Sequence, residues 1–193
     1  VYVDNKIMVA SLFLKVPKDD FEKHVKTMYI DIAKEIGAPI EVANDGDVTA
    51  LAGAIDLNDN SVLGIAMGTS EAVGYINKDG GINGWLSELA FAPVDFNENA
   101  MQDEWSGDFG VGCKYFSQDA VIKLAEYGGF KFEDGLTPAQ KLKVIQALMA
   151  KDDALATQIF EDIGVYLAHT IPFYAKFYDI KHMLLLGRVM GGK

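Results

Sequence analysis

Between residues 19 and 36 the apolar positions recur at helical spacing: Phe21, Val25, Met28, Tyr29, Ile32, Ala33 and Ile36 share one face. Asp19 and Asp20 suit the positive end of such a helix, and Gly37 suits its C-cap. The pattern then changes. Pro39-Ile40-Glu41-Val42-Ala43 is a short apolar run that reads as a strand, and the small apolar residues of 48–54 read as the helix after it. Val62–Met67 reads as a strand, Gly68-Thr69-Ser70 as a turn, and residues 72–77 as a second strand. Lys78-Asp79-Gly80-Gly81 is a hairpin turn leading to a third short strand from Ile82. Upstream, residues 7–15 read as a strand or a buried segment.

Residues 85–115 sustain no period. They hold both tryptophans and many acids, among them Glu88, Asp95, Asp103, Glu104 and Asp108. A long irregular segment in a compact domain is usually either functional or disordered, and the aromatic content argues against disorder. Helical spacing returns at Ser117, the N-cap of a helix to Tyr127 closed by Gly128-Gly129. Thr137-Pro138-Ala139-Gln140 is a capping box with proline at the first helical position, opening a helix to about Lys151. Asp152 or Asp153 begins a long helix through Phe160, Ile163, Leu167 and Ile171, which Pro172 should kink or break. Tyr166, Phe173, Tyr174 and Phe177 read as the packed stripe of that helix. His182–Leu186 reads as a buried strand ending in Gly187. Strands alternate with helices, and glycine turns follow strand ends. That order predicts an α/β fold with ligands at the carboxyl ends of the strands.

Half of the 193 residues are hydrophobic, enough for a sizeable core in one large domain or parts of two. No apolar run reaches the roughly 18 residues that span a membrane. The net charge of −11 argues against nucleic acid as a partner, because phosphate binding needs a basic footprint. The acids are scattered, as on an ordinary solvated surface. The one cysteine, Cys113, cannot form an internal disulfide, which fits a reducing compartment. No base neighbours it in sequence, so it reads as a small buried residue. The chain opens on Val1 rather than Met and closes on Gly187-Arg188-Val189-Met190-Gly191-Gly192-Lys193, a pattern expected of a fragment.

Three stretches carry candidate chemistry. In Asn44-Asp45-Gly46-Asp47, two acids and an amide lie between a strand and a helix, where rigid elements on both sides hold catalytic groups in place. The same residues suit simple helix capping by Asn44, Asp45 or Asp47. In Gly68-Thr69-Ser70, low bulk, backbone N–H groups and two hydroxyls suit a phosphate, although an ordinary tight hairpin accounts for them as well. Asp103-Glu104-Trp105-Ser106-Gly107-Asp108 combines carboxylates with an aromatic ring, a composition that grips sugars and also one that makes an acidic, solvated loop.

Taken in order with Trp85-Leu86-Ser87-Glu88-Leu89-Ala90-Phe91 and Leu184-Leu185-Leu186-Gly187, the first two of these stretches resemble motifs of the ROK family of sugar kinases and sugar-responsive repressors, over essentially the whole chain. Asn44-Asp45-Gly46-Asp47 looks like the family's Asn-Asp-Ala/Gly-Asn element, which implies Asp45 as catalytic base and Asn44 and Gly46 on the substrate side. Gly68-Thr69-Ser70 through Gly74 looks like the second phosphate motif. Ser87 to Phe91 sits where the family has Gly-Glu-x-Gly-His, which implies Glu88 as a sugar contact. His182 to Gly192 resembles the strand and glycine loop that reach the adenosine, placing Gly187 beside the nucleotide with Gly68, Thr69 and Ser70. Ser70 and Ala72 replace glycines of the phosphate loop, and Phe91 replaces the family's His. The first phosphate motif, Asp-x-Gly-x-Thr, is absent, as is the cysteine cluster for zinc: Cys113 stands alone, and His24, His169 and His182 are far apart.

The resemblance implies an α/β fold with a ribonuclease H-like motif, an actin-like ATPase lobe with a mixed sheet and flanking helices. Residues 1–55 would be the tail of a first lobe with the linking helix, and 56–193 a second lobe. It implies ATP and Mg2+ as cofactors, no zinc, and phosphorylation of a sugar in the cytoplasm. The partners would be a sugar and a nucleotide, with no membrane and no nucleic acid, and a homodimer as the assembly to test. A sugar-sensing regulator without kinase activity is the alternative.

Overall fold

The computed structural model describes residues 2–8, 13, 15–82 and 87–191. Two short strands, β1 (Tyr2–Val3) and β2 (Lys6–Ile7), form an antiparallel pair. Ile7 is buried, but most of the strand or buried segment expected over 7–15 lies outside the described residues.

The single helix expected over 19–36 is divided. α1 (Lys18–Asp20) runs into a π-helical turn, Phe21–Val25, and α2 (Met28–Ile36) starts afresh after Thr27. The cause is local. The Lys26 carbonyl accepts from Ile7 N–H at 2.9 Å, outside the helical ladder, and the Thr27 hydroxyl donates to Asp31 at 2.7 Å. Gly37 caps α2 as expected. The apolar face is largely uncovered: Val25 is buried, while Ile32 and Ile36 are exposed.

Residues 38–44 are extended but form no strand, contrary to expectation. No neighbouring strand supplies a ladder there among the described residues. The Asn5 amide stands in for one, donating to Ile40 C=O at 3.2 Å and accepting from Val42 N–H at 2.7 Å. α3 (Asp45–Leu57) follows.

The central sheet has the order β4-β3-β5. β3 (Val62–Met67) pairs antiparallel with β4 (Glu71–Ile76) through the expected Gly68-Thr69-Ser70 turn, with Gly64 opposite Gly74. β5 (His182–Leu186) pairs parallel with β3. It is half-buried rather than buried, because it is an edge strand with one flank unpaired among the described residues. At Ile82 there is a single antiparallel bridge to Ile76, and the rest of the third strand expected there lies outside the described residues.

The two faces of the sheet are packed differently. α3 lies on one face through small residues: Ala50 and Ala54 pack with Val62 and Ile76. The other face buries Leu63, Ile65, Met67, Val73 and Tyr75 against three helices. These are α5 (Gln118–Tyr127), α6 (Pro138–Met149) and α7 (Ala154–Tyr174). Each fully buried aliphatic side chain there, such as Ile145 or Ile159, contributes about 1.5–3 kcal/mol. The caps at Ser117, Thr137 and Asp153 form as expected, including the Thr137–Gln140 capping box. α7 does not break at Pro172. It continues two residues to Tyr174, because in the last turn proline forfeits only the bond to Ala168. Of the expected stripe, Tyr174 is fully buried, whereas Phe177 lies past the helix end and is exposed.

Residues 87–117 are ordered by short-range pairing. A 3-10 turn at Leu89–Phe91 is followed by antiparallel bridges Pro93–Val111 and Gln102–Phe109, then by α4 (Gly112–Tyr115). Cys113 is buried, as expected of a small core residue, and burial pushes its thiol up to about 12. Trp85 and Leu86 lie outside the described residues.

Candidate functional site

The first turn of α3 is built by its own side chains and by β4. Asn44 is the N-cap, its side-chain oxygen accepting from Gly46 N–H at 2.8 Å, and Asp45 Oδ1 accepts from the same N–H at 3.0 Å. Capping is therefore real for Asn44, and Asp45 is left exposed at the positive helix end. Asp47 points the other way. It is buried, and its Oδ1 accepts from the edge N–H of Tyr75 at 3.2 Å. Burial raises the Asp47 carboxyl, the Tyr75 bond opposes that, and the charges of Asp45 and Glu88 add to the rise.

Gly46 and Gly74 explain how close this turn lies to the sheet. A Cβ on Gly74 would overlap the Gly46 carbonyl, and one on Gly46 would overlap the Val73 carbonyl. Further along, Ala50 lies over Gly64 and Gly53 over Val62 and Leu184. α3 thus runs antiparallel to β3, and its N-terminus points toward the strand end that carries the Gly68-Thr69-Ser70 turn.

At that end, the Gly68 N–H donates to Ser70 C=O and the Gly68 carbonyl accepts from Gln118 N–H, both at 2.9 Å. Thr69 and Ser70 are exposed, and among the described residues their hydroxyls hold no bond within the chain. Gly187 comes to the same end. Its φ of +99° suits glycine, a Cβ there would overlap the Met67 carbonyl, and Val189 N–H donates to that carbonyl at 3.0 Å. Beside this junction lies an apolar cavity of about 410 Å³ lined by Met67, Ile163, Leu167, Leu185, Val189 and Met190.

Glu88 is exposed at the start of the 3-10 turn. The turn packs against the first residue of β4, since Gly112 is wedged between the Glu71 carboxylate and Leu89 C=O. The structure therefore gathers Asn44, Asp45 and Gly46, Gly68 to Ser70, Glu88 and Gly187 around one end of the sheet. Among the described residues, no three His, Cys, Asp or Glu side chains gather as a metal site would require.

Glu71 escaped the sequence reading. It is buried, and neither carboxylate oxygen has a hydrogen-bond partner among the described residues. Burial pushes its carboxyl up to about 8. The buried Tyr174 hydroxyl also lacks a partner, and the Glu71 charge adds to the burial that raises it. The signal was period two: Glu71 is in phase with Val73 and Tyr75, the core-facing positions of β4.

No family model and no curated protein matches this sequence. Solved structures do. A ROK hexokinase from Thermus thermophilus is 17% identical with a TM-score of 0.66, over 85% of this chain and 54% of its own. A ROK family transcriptional regulator, a homologue of the E. coli MLC protein, is 20% identical with a TM-score of 0.68, over 86% and 43%. A ROK family glucokinase from Streptomyces griseus, solved in complex with glucose and AMPPNP, is 16% identical with a TM-score of 0.62, over 84% and 56%. The chain spans about half the length of these proteins, and across that half it has the fold of the ROK kinases and repressors.

Proposed function

We propose that this chain is part of an ATP-dependent kinase that phosphorylates a hydroxyl of a sugar or sugar derivative. The observation that carries this reading is the convergence of the α3 N-terminus, Glu88 and two glycine turns at one end of a sheet whose fold ROK kinases share. Residues 56–193 would be most of a ribonuclease H-like, actin-like ATPase lobe, with 1–55 the tail of its companion. Asp45, exposed at the helix start, would accept the proton of the attacking hydroxyl. Asn44, Gly46 and Glu88 would line the sugar side. Thr69 and Ser70 offer free hydroxyls to phosphate, and the apolar cavity beside Gly187 suits a flat base. Mg-ATP would supply the phosphoryl group and offset its charge.

A second reading has one observation in its favour. The Gly68 N–H is already spent on Ser70, so this turn has fewer donors for a phosphate. That suits a sugar-sensing regulator without kinase activity, the class of one structural neighbour.

In the full-length protein, Asp45→Asn should keep sugar binding and lower phosphoryl transfer by about 10²-fold or more. Coupled ATP-consumption assays over a sugar panel measure this. Unchanged turnover sinks the assignment of Asp45. A wild type that binds sugar yet transfers no phosphate decides for the regulator.

A further inference from the structure

Glu71 stands where three elements of the candidate end of the sheet meet. It is the first residue of β4, directly after the Gly68-Thr69-Ser70 turn, and it is only 5% exposed. The 3-10 turn and the start of α4 close over it. A Cβ on Gly112 would overlap the Glu71 carboxylate and Leu89 C=O together, so these groups pack without room for a methyl. Neither Glu71 oxygen has a hydrogen-bond partner among the described residues, and neither does the buried Tyr174 hydroxyl. The groups around Glu71 offer no counter-charge. Met67 is opposite it on β3, α7 brings Tyr174, and Leu89–Phe91 carries no titratable side chain. α4 brings Cys113, Lys114 and Tyr115, but the Lys114 ammonium is held by Glu104 and Asp119, and the Tyr115 hydroxyl by Asp95. Burial alone raises the Glu71 carboxyl, and no cation lowers it. Its charge is in turn a lesser cause, after burial, of the rise of Tyr174 and Cys113.

The cover over Glu71 is a small satellite of the core. Ala90, Val111 and Cys113 form a cluster of their own, apart from the main core. It is tied together by Gly112 N–H donating to Ala92 C=O at 3.0 Å and Val94 N–H donating to Gly110 C=O at 2.7 Å. So small a cluster costs less to open than the three-helix core beneath it.

We propose that Glu71 is a proton-operated latch: protonated, it lets the 3-10 turn and the start of α4 close over the end of β4, and ionised, it drives them off. An enclosed carboxylate without donors is tolerated only in its neutral form, so losing the proton to water requires the cover to lift and solvent to enter. The closed state holds the carboxyl at about 8, against 4.5 for a solvated one. The opened state therefore gains over the closed one by roughly tenfold per pH unit between about pH 5 and pH 8, and the gain levels off above that. Glu88 immediately precedes the turn and moves with it. That consequence for the candidate site rests on the kinase reading above, whereas the latch itself does not.

Amide exchange of the full-length protein, followed residue by residue from pH 5 to pH 9 and corrected for the base catalysis of exchange itself, reads the opening. The amides of Phe91, Ala92 and Gly112 donate to the carbonyls of Glu88, Leu89 and Ala92. They should exchange at least about tenfold faster than those of β3, and their opening should rise roughly tenfold per pH unit up to about pH 8. Glu71→Gln cannot ionise, and its opening should not depend on pH. Glu71→Met serves the same purpose if the Gln variant does not fold. A wild-type opening that is independent of pH overturns the latch, as does a pH dependence that the variants retain. Exchange no faster than that of β3 overturns it too, because the cover then leaves only with the whole fold. No ligand enters this test, so each of these failures leaves the kinase reading standing. That reading falls separately, if the wild type phosphorylates no sugar.

Discussion

Two carboxylates on the candidate end of the sheet, Asp45 and Glu71, each open an element, α3 and β4, and have opposite surroundings. Asp45 is exposed at a helix start, while Glu71 is enclosed with no hydrogen-bond partner among the described residues. An isolated buried carboxylate is costly, so the folded state keeps Glu71 protonated. Its carboxyl is raised from 4.5 to about 8 on folding. Between those pH values the folded chain holds a proton that the unfolded chain has lost, so stability falls as pH rises and levels off above about 8. The full difference is up to about 5 kcal/mol. Thermal melts from pH 5 to pH 9 should show a decline that Glu71→Gln flattens. Equal slopes for both proteins would mean that Glu71 has a partner or is solvated. At this scale the sequence was legible where a side chain acts on its own neighbours, as Asn44 does on Gly46. It was silent on Glu71, whose character depends on α4, α7 and the 3-10 turn closing over it.

Caps and turns with local signals formed as expected, whereas two segments that meet a distant partner, 19–36 and 39–43, were reshaped by it. The caps at Ser117, Thr137 and Asp153 bind backbone within three residues. The run 39–43 has strand composition but meets only the Asn5 side chain, and the helix over 19–36 is cut because β2 takes the Lys26 carbonyl. The contact of α3 with β4 is the sharpest demand between elements. Gly74→Ala should cost about 3 kcal/mol, because the new methyl meets backbone that cannot rotate away, and lower the melting temperature by roughly 9 °C. A melt within a degree of the wild type would show that the helix can shift. The hairpin over 93–111 is held by Lys114, whose partners are Glu104, largely exposed, and Asp119. Lys114→Met should cost only about 1 kcal/mol overall. It should speed amide exchange at Asp103 and Gly110, and unaltered exchange there would show that the backbone bridges suffice.

Across the whole molecule the net charge is −11, and no helix among the described residues is long and apolar enough to cross a membrane. Transfer of a phosphoryl group needs positioning and charge stabilisation from both sides of a cleft. Under the kinase reading, these 193 residues supply the base and one phosphate turn, and they match about half of each structural neighbour. The 193-residue chain should therefore fold, turn over no ATP and bind Mg-ATP weakly at best. Calorimetric titration beside the full-length protein measures this. Micromolar affinity in the shorter chain would place a complete nucleotide site within it and remove the two-lobe reading.

The sequence by itself determined the helices of the C-terminal half, the β3–β4 hairpin and the identity of the candidate acids, because capping, helical periodicity and turn chemistry act within a few residues. Only the tertiary structure decided that β5 is a half-buried edge, that Asp47 turns inward while Asp45 faces water, that Glu71 is enclosed, and that Trp105 stands beside Phe91. Each of those depends on residues tens of positions apart meeting across the sheet or the 93–111 hairpin, and no local pattern encodes which surfaces will be left uncovered when they do.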